Sequence, residues 1–300
     1  MAEMIDLHIH STHSDGSKTT AELLAMLQER GATIFSFTDH DSIGCYRDLI
    51  AGKAVVYPGA TLIPGVEITC SHNGDLRDIL GYGIDIDVIG DYLDSKYSLE
   101  NRIVKQKNIV EQFKAHCEKA GLIFDPSVTA TEGKKAEGFA VMYNELMKYP
   151  ENIEKFPFLS DATVTYWEYF ANKDSDFYVN EIFDCPTIDE AVSIIHKAGG
   201  KAFLAHPYYY RMSHEDTEEM VRYALAAGID GVELKHSTNR DDDVERILGY
   251  AEKYHLLMSG GSDYHGDIKP GLNLITAFGN MKVEYEDILP WIHDVQVFAP

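Results

Sequence analysis

Short apolar runs alternate along this chain with stretches whose apolar residues recur three and four apart, the pattern of strands alternating with amphipathic helices. Residues 4–10 form the first run. Thr19 or Thr20 then caps a helix to residue 30, with Leu23, Leu24 and Leu27 on one face. Residues 33–38 are the next strand, Ser42 opens a second helix, and residues 61–69 and 79–84 follow as strands. The rhythm changes at residue 92. From there to 183 the chain carries long helical stretches, most clearly 99–119, where Ile103, Val110, Phe113 and Cys117 share a face.

Alternation resumes with Thr187-Ile188-Asp189-Glu190, a capping-box pattern, and a helix to about residue 198 that Gly199-Gly200 ends. Strand 201–205, helix 215–227, strand 231–234, helix 243–254 and strand 256–259 complete the order. We therefore divide the chain into a discontinuous α/β domain, residues 1–91 and 184–300, and a helical insertion, 92–183, suited to a lid or substrate cap. At 300 residues the chain is long enough for one α/β barrel with such an insertion.

Composition narrows the function classes. Hydrophobic residues make up 45%, and the formal net charge is −23. Such an acidic surface argues against gripping long nucleic acid. It is compatible with a small phosphorylated substrate if cations are bound in the cleft. No apolar run approaches the ~18–20 residues of a membrane span. The first residues lack a basic segment followed by an apolar one, so no secretory signal is expected. Cys45, Cys70, Cys117 and Cys185 are scattered without a C-x-x-C pair, as in a reducing cytoplasm. A cytoplasmic location without membrane or obligate protein partner is the expectation.

Histidines and acids then change the picture. His8-Ile9-His10 with Asp15, Thr38-Asp39-His40-Asp41, Gly65-Val66-Glu67, Ala205-His206-Pro207, Leu234-Lys235-His236 and Ser262-Asp263-Tyr264-His265 each end or follow an apolar run. Imidazole and carboxylate donors suit zinc, manganese or iron. Nearly every cluster falls at the C-terminal end of an expected strand, the edge where α/β folds build active sites. Residues two hundred positions apart are thereby expected to meet.

In combination and order, His8-Ile9-His10-Ser11-Thr12-His13-Ser14-Asp15-Gly16, Thr38-Asp39-His40-Asp41, Pro64-Gly65-Val66-Glu67-Ile68, Leu204-Ala205-His206-Pro207 and Gly261-Ser262-Asp263-Tyr264-His265-Gly266 resemble the PHP (polymerase and histidinol phosphatase) family. The resemblance spans about residues 4–90 and 184–275 and is nearest to its nucleotide and short-RNA phosphoesterases, which carry a helical insertion at this position. It implies a distorted TIM-like barrel of about seven β/α units and a trinuclear metal centre. By motif position, His8, His10, Glu67 and Asp263 would hold one ion. Glu67 would bridge to a second, shared with His206, and Asp15, His40 and His265 would hold a third. One position departs from the pattern: Asp78 stands where this branch has a histidine, so the second ion's further ligand is Asp78, with His72 as the alternative.

Asp39 is either a carboxylate behind a ligating imidazole or a helix cap, and Asp41 reads as the cap. His13 reads as a non-ligand. Arg211, His236 and Lys269 are candidate phosphate contacts, and the tyrosines before Arg211 either pack or stack on a base. Glu67, Asp263, His265 and His236 are the candidate catalytic groups. The activity so implied is hydrolysis of a small phosphoester by metal-activated hydroxide. The substrate would be a nucleotide, either a 3′,5′-bisphosphate or the 5′ end of a short RNA. A histidinol-phosphate phosphatase is the alternative. A metal-dependent amidohydrolase, with Lys235 as its bridging lysine, is a more distant one.

Overall fold

The computed structural model describes residues 3–134, 136–182 and 184–299. Met1, Phe183 and Pro300, at the edges of the expected segments, lie outside the described residues. The chain is mixed α/β and separates into two compact units, Met1–Leu93 with Cys185–Pro300, and Asp94–Asp184.

In the first unit, strands β1 (Ile5–Asp6), β2 (Ile34–Phe35) and β3 (Thr61–Leu62) form a parallel three-stranded sheet. A second sheet contains β4 (Gly65–His72), β5 (Asp75–Tyr82), β6 (Lys201–Leu204), β7 (Gly231–His236) and β8 (Leu257–Gly261), in that order. β5 runs antiparallel to both neighbours, whereas β6, β7 and β8 are parallel. Among the described residues neither sheet closes on itself. The single strand expected over 61–69 is two, β3 and β4, because Pro64 lacks the N–H needed to continue the ladder. Glu67 accordingly lies third in an eight-residue strand rather than at a strand's C-terminal end, and β4 continues past it into a hairpin with β5.

The helices of this unit follow their sequence signals. Thr19 and Thr187 form capping boxes with Glu22 and Glu190 at the starts of helices Thr20–Glu29 and Ile188–Lys197. The latter buries Ile188, Ala191, Val192, Ile194 and Ile195. Helix His214–Ala227 lies between β6 and β7 in the chain and helix Asp241–Tyr254 between β7 and β8. Asp41 is not a helix cap. The helix starts at Gly44, and Asp41, at φ 48°, accepts the Thr69 N–H through Oδ1 at 3.3 Å.

The second unit is helical. Its helix Leu99–Ala120 starts on the Ser98 cap and ends at Gly121, whose φ of 64° suits a residue without Cβ. Val110, Phe113, Cys117, Met142, Leu146, Leu159 and Phe170 form its core, with Phe113 and Phe170 stacked at 3.8 Å. Among the described residues no helix is long and apolar enough to cross a membrane.

Candidate metal centre

The segment after β1 is held against the end of β8. Leu7 N donates to Gly260 O (3.1 Å), Asp263 N to His8 O (2.9 Å) and His10 N to Tyr264 O (2.9 Å). Gly261 permits this approach, since a Cβ there would lie 2.2 Å from the His8 backbone nitrogen. The same zipper brings Asp263 beside His8 and His10. Asp263 and His206 both carry positive φ, 56° and 24°, a conformation non-glycine residues keep only where surroundings impose it. Their N–H groups supply that constraint, Asp263 through His8 O and His206 through Glu233 Oε2 at 2.8 Å.

Four donor atoms converge at the centre. His8 Nε2, His10 Nε2 and Glu67 Oε2 are each 3.1 Å apart, and Asp263 Oδ1 is 3.5 Å from His8 Nε2 and 3.2 Å from His10 Nε2. Ligands at zinc-like bond lengths around one tetrahedral ion are about 3.3 Å from one another, so the two imidazoles have the spacing to share a cation with either carboxylate. The other oxygen of Glu67, Oε1, is 2.9 Å from His206 Nε2. On the opposite side Asp15 Oδ1 is 3.3 Å from His265 Nε2 and 3.5 Å from His10 Nδ1. His10, Asp15, His40 and His265 thus form one group of potential ligands, and His40, Glu67 and Asp78 another.

The residues around these atoms decide which ring nitrogen faces inward. His8 Nδ1 donates to Glu233 Oε1 at 2.8 Å, which turns Nε2 to the centre. His265 Nδ1 donates to the Asp263 carbonyl at 2.8 Å, leaving Nε2 toward Asp15. His236 is arranged the other way. Its Nδ1 accepts the Thr238 backbone N–H, so Nε2 carries the proton and donates to Asp263 Oδ2 at 3.2 Å. His236 is therefore a hydrogen-bond donor in this site rather than a lone-pair ligand.

Charge is tightly balanced. Burial opposes ionisation of Glu67 and Asp263, but the surrounding histidines outweigh it and hold both carboxyls well below the usual range. Burial likewise opposes charge on His10, yet hydrogen bonds to Asp263 and Glu67 raise its pKa to about 9. The acids thus draw protons onto these imidazoles, and divalent cations neutralise the same acids without them.

The other sequence candidates separate. Asp78 lies in the cluster with Oδ1 buried and without a hydrogen bond, whereas His72 contacts Asn73 and the Tyr223 ring and belongs to none of these groups. His13 pairs with Asp48 at 2.6 Å. Among the described residues Asp39 makes no direct hydrogen bond to an imidazole. It accepts from Ser11 N, Ser11 Oγ and Ser14 Oγ, each at 2.7 Å, and Ser14 Oγ in turn faces His10 Nδ1 at 3.4 Å. Lys269 Nζ binds the Asp263 carboxylate. Arg211 is outside the cluster, in an open cleft of about 800 Å³ with Tyr208, Tyr209, His214 and Arg240. The three tyrosines have three fates. Tyr208 bonds to Tyr250, Tyr210 to Asp78, and Tyr209, 51% exposed, stands between His206 and that cleft.

Two buried acids escaped the sequence reading. Glu233 holds His8 and the His206 backbone together, and Asp6 accepts from Ser262 N, Ser262 Oγ and Ile275 N, tying the Asp263 segment down. An acid between apolar neighbours of a strand, as in Val232-Glu233-Leu234, was the available signal.

No family model matches the chain. It is 30% identical over 280 residues to a 5′-3′ exoribonuclease of Haemophilus influenzae, covering 91% of this chain and 95% of that one. It is 28% identical over 271 residues to a 3′,5′-nucleoside bisphosphate phosphatase of Chromobacterium violaceum, covering 87% of each. A structure described as a metal-dependent phosphoesterase from Bifidobacterium adolescentis superposes with a TM-score of 0.63 at 22% identity, over 98% of this chain and 97% of that one. At that identity the likeness speaks to the fold.

Proposed function

Since this chain belongs to the PHP family of metal-dependent phosphoesterases, we propose that it hydrolyses a terminal phosphoester of a small nucleotide, a nucleoside 3′,5′-bisphosphate or the 5′ end of a short RNA. The observation that carries this reading is the convergence of Glu67 and Asp263 on His8 and His10, whose Nε2 atoms are 3.1 Å apart and each 3.1–3.5 Å from both carboxylates. Tyr209 reaches from the edge of this group into a cleft that also holds Arg211 and Arg240. The relatives that act on a bisphosphate or on RNA support the substrate class.

We read the two sheets as one distorted barrel of seven strands, counting β3 and β4 as a single strand broken at Pro64. Support comes from the bonds joining Leu7–His10 to Gly260–Tyr264, and from the pairing of His40 with Glu67 that links the end of β2 to β4.

In this proposal His8, His10, Asp15, His40, Glu67, Asp78, His206, Asp263 and His265 hold divalent ions of the manganese, iron or zinc class, three in number. Such ions lower the pKa of water and neutralise charge developing on phosphate oxygens. The remaining steps belong to side chains. Arg211 clamps a non-reacting phosphate oxygen, and Tyr209 offers an exposed ring to a base. Lys269, now on Asp263, is within reach of the reacting phosphate. Burial lowers the pKa of His236 despite the opposing effect of Glu233, so it stays neutral near pH 7 and donates from Nε2 toward the leaving oxygen.

The test is phosphate release from a nucleoside 3′,5′-bisphosphate, a 5′-phosphorylated short RNA and histidinol phosphate, each with manganese, iron and zinc. Cleavage of the nucleotide substrates is expected. Faster turnover of histidinol phosphate would overturn the substrate assignment.

A further inference from the structure

Asp78 is an acid of the centre whose carboxylate and backbone are both held by one hydroxyl, that of Tyr210. It lies on β5 opposite Thr69 of β4, two residues beyond Glu67 on the paired strand. The Tyr210 hydroxyl bonds it twice, accepting the Asp78 backbone N–H at 3.0 Å and donating to Asp78 Oδ2 at 2.9 Å. One hydroxyl therefore fixes both the backbone and the rotamer of a single residue. Tyr210 is itself fixed, because the Arg77 guanidinium lies 4.5 Å over its ring and contacts the sulfurs of Met212 and Met220 at 3.2 Å.

The consequence is at the other oxygen. Oδ1 is buried and makes no hydrogen bond, a costly arrangement for a carboxylate oxygen with neither a donor nor a cation. It lies 3.8 Å from His40 Nδ1, and one ligand atom each from Asp78, Glu67 and His40 lies within 4.8 Å of the others. This group offers two carboxylates and one imidazole. The group of His10, Asp15, His40 and His265 offers three imidazoles and one carboxylate. Carboxylates suit manganese and magnesium, whereas imidazole-rich sets suit zinc and iron. The two ends of the centre therefore differ in donor hardness.

We propose that Asp78 and Glu67, with His40, form a carboxylate-dominated position that prefers manganese or magnesium to zinc, and that Tyr210 is the positioning residue that aims Asp78 into it. This rests on the reading of the cluster as a metal centre and adds that its positions are not equivalent. Asp78→Asn keeps the shape and the acceptor for Tyr210 but removes the charge. Asp78→His replaces the hard donor by an imidazole. Tyr210→Phe leaves the donor set intact and removes only its support, for which a loss of about ten-fold in affinity is the scale of an outer hydrogen bond.

The experiment uses the full chain, stripped with chelator and dialysed against equal manganese and zinc, with bound metal counted by mass spectrometry and folding checked by circular dichroism. Wild type is expected to retain manganese beside zinc. Asp78→Asn should lose the manganese, and Asp78→His should lower the manganese-to-zinc ratio at least ten-fold. Tyr210→Phe should bind manganese about ten-fold more weakly with zinc content unchanged. The same ratio in wild type and both Asp78 variants overturns the proposal. If the Asp78 variants do not fold, equal manganese affinity in wild type and Tyr210→Phe overturns it. A wild-type protein that binds no metal at all contradicts the underlying reading instead.

Discussion

Replacing Glu233 with glutamine changes one atom type in a fully buried side chain and tests whether residues behind the ligands control the centre. Glu233 accepts two hydrogen bonds, from His8 Nδ1 through Oε1 and from the His206 backbone N–H through Oε2, each 2.8 Å. Glutamine has one acceptor oxygen for these two donors. If that oxygen stays with His206, the amide NH₂ faces His8 Nδ1, which must then accept and carry its proton on Nε2, the atom that meets His10, Glu67 and Asp263. If the oxygen serves His8, two donors oppose each other at the His206 N–H, whose bond helps to hold φ at 24°. Either way one inward-facing imidazole is misdirected. Loss of such an outer partner costs ten- to a hundred-fold in metal affinity, about 1.4–2.7 kcal/mol. Competition with a fluorescent chelator measures it, with the unfolding midpoint as control. Unchanged affinity for every ion in a folded Glu233→Gln protein would show that Glu233 does not orient the ligating imidazoles.

Other perturbations act through different contacts. Asp39→Ala strands the Ser11 N–H and two serine hydroxyls, and a loss of about 2–4 kcal/mol in denaturant unfolding is expected. Gly261→Ala places a Cβ 2.2 Å from the His8 nitrogen and should lower both stability and metal content. Gly249→Ala, where a Cβ meets nothing within 4 Å in helix Asp241–Tyr254, should raise stability by about 0.5–1 kcal/mol. Because the pKa of His10 is raised above its ordinary 6.5 to about 9, its stabilising proton is fully present below pH 6.5 and lost as pH rises through 9. Chelator-stripped protein should accordingly lose stability across that window, while its affinity for metal, which competes with the same proton, should rise.

The contrast between what the sequence announces and what it conceals has a physical basis. His8, His10, His40, His206, Asp263 and His265 are legible because polar groups directly after apolar runs are hard to attribute to packing. Asp78 is legible only as a departure from a pattern. Glu233 and Asp6 are concealed because their roles depend on what lies across the sheet, a non-local fact that no local spacing encodes. Asp41 misleads for a related reason. Its place before a helix suits a cap, but the chain turns there through a left-handed residue and its carboxylate goes to β4. Helix starts at Thr19 and Thr187 are readable because a capping box is local. The reversed direction of β5 is not, since an apolar run carries no arrow, and only the short Asn73-Gly74 turn, with both residues at positive φ, hints at a hairpin.

In the proposed activity, one cluster of histidines and acids binds divalent ions and thereby cleaves phosphoesters. Titrating stripped protein with manganese while recording bound metal and phosphate release from a nucleoside 3′,5′-bisphosphate in the same sample tests it most directly. Release should rise in step with bound metal, and Glu67→Gln, which weakens the carboxylate shared between His206 and the His8–His10–Asp263 group, should abolish both. Phosphate release independent of bound metal, or full metal binding and turnover in Glu67→Gln, would contradict it.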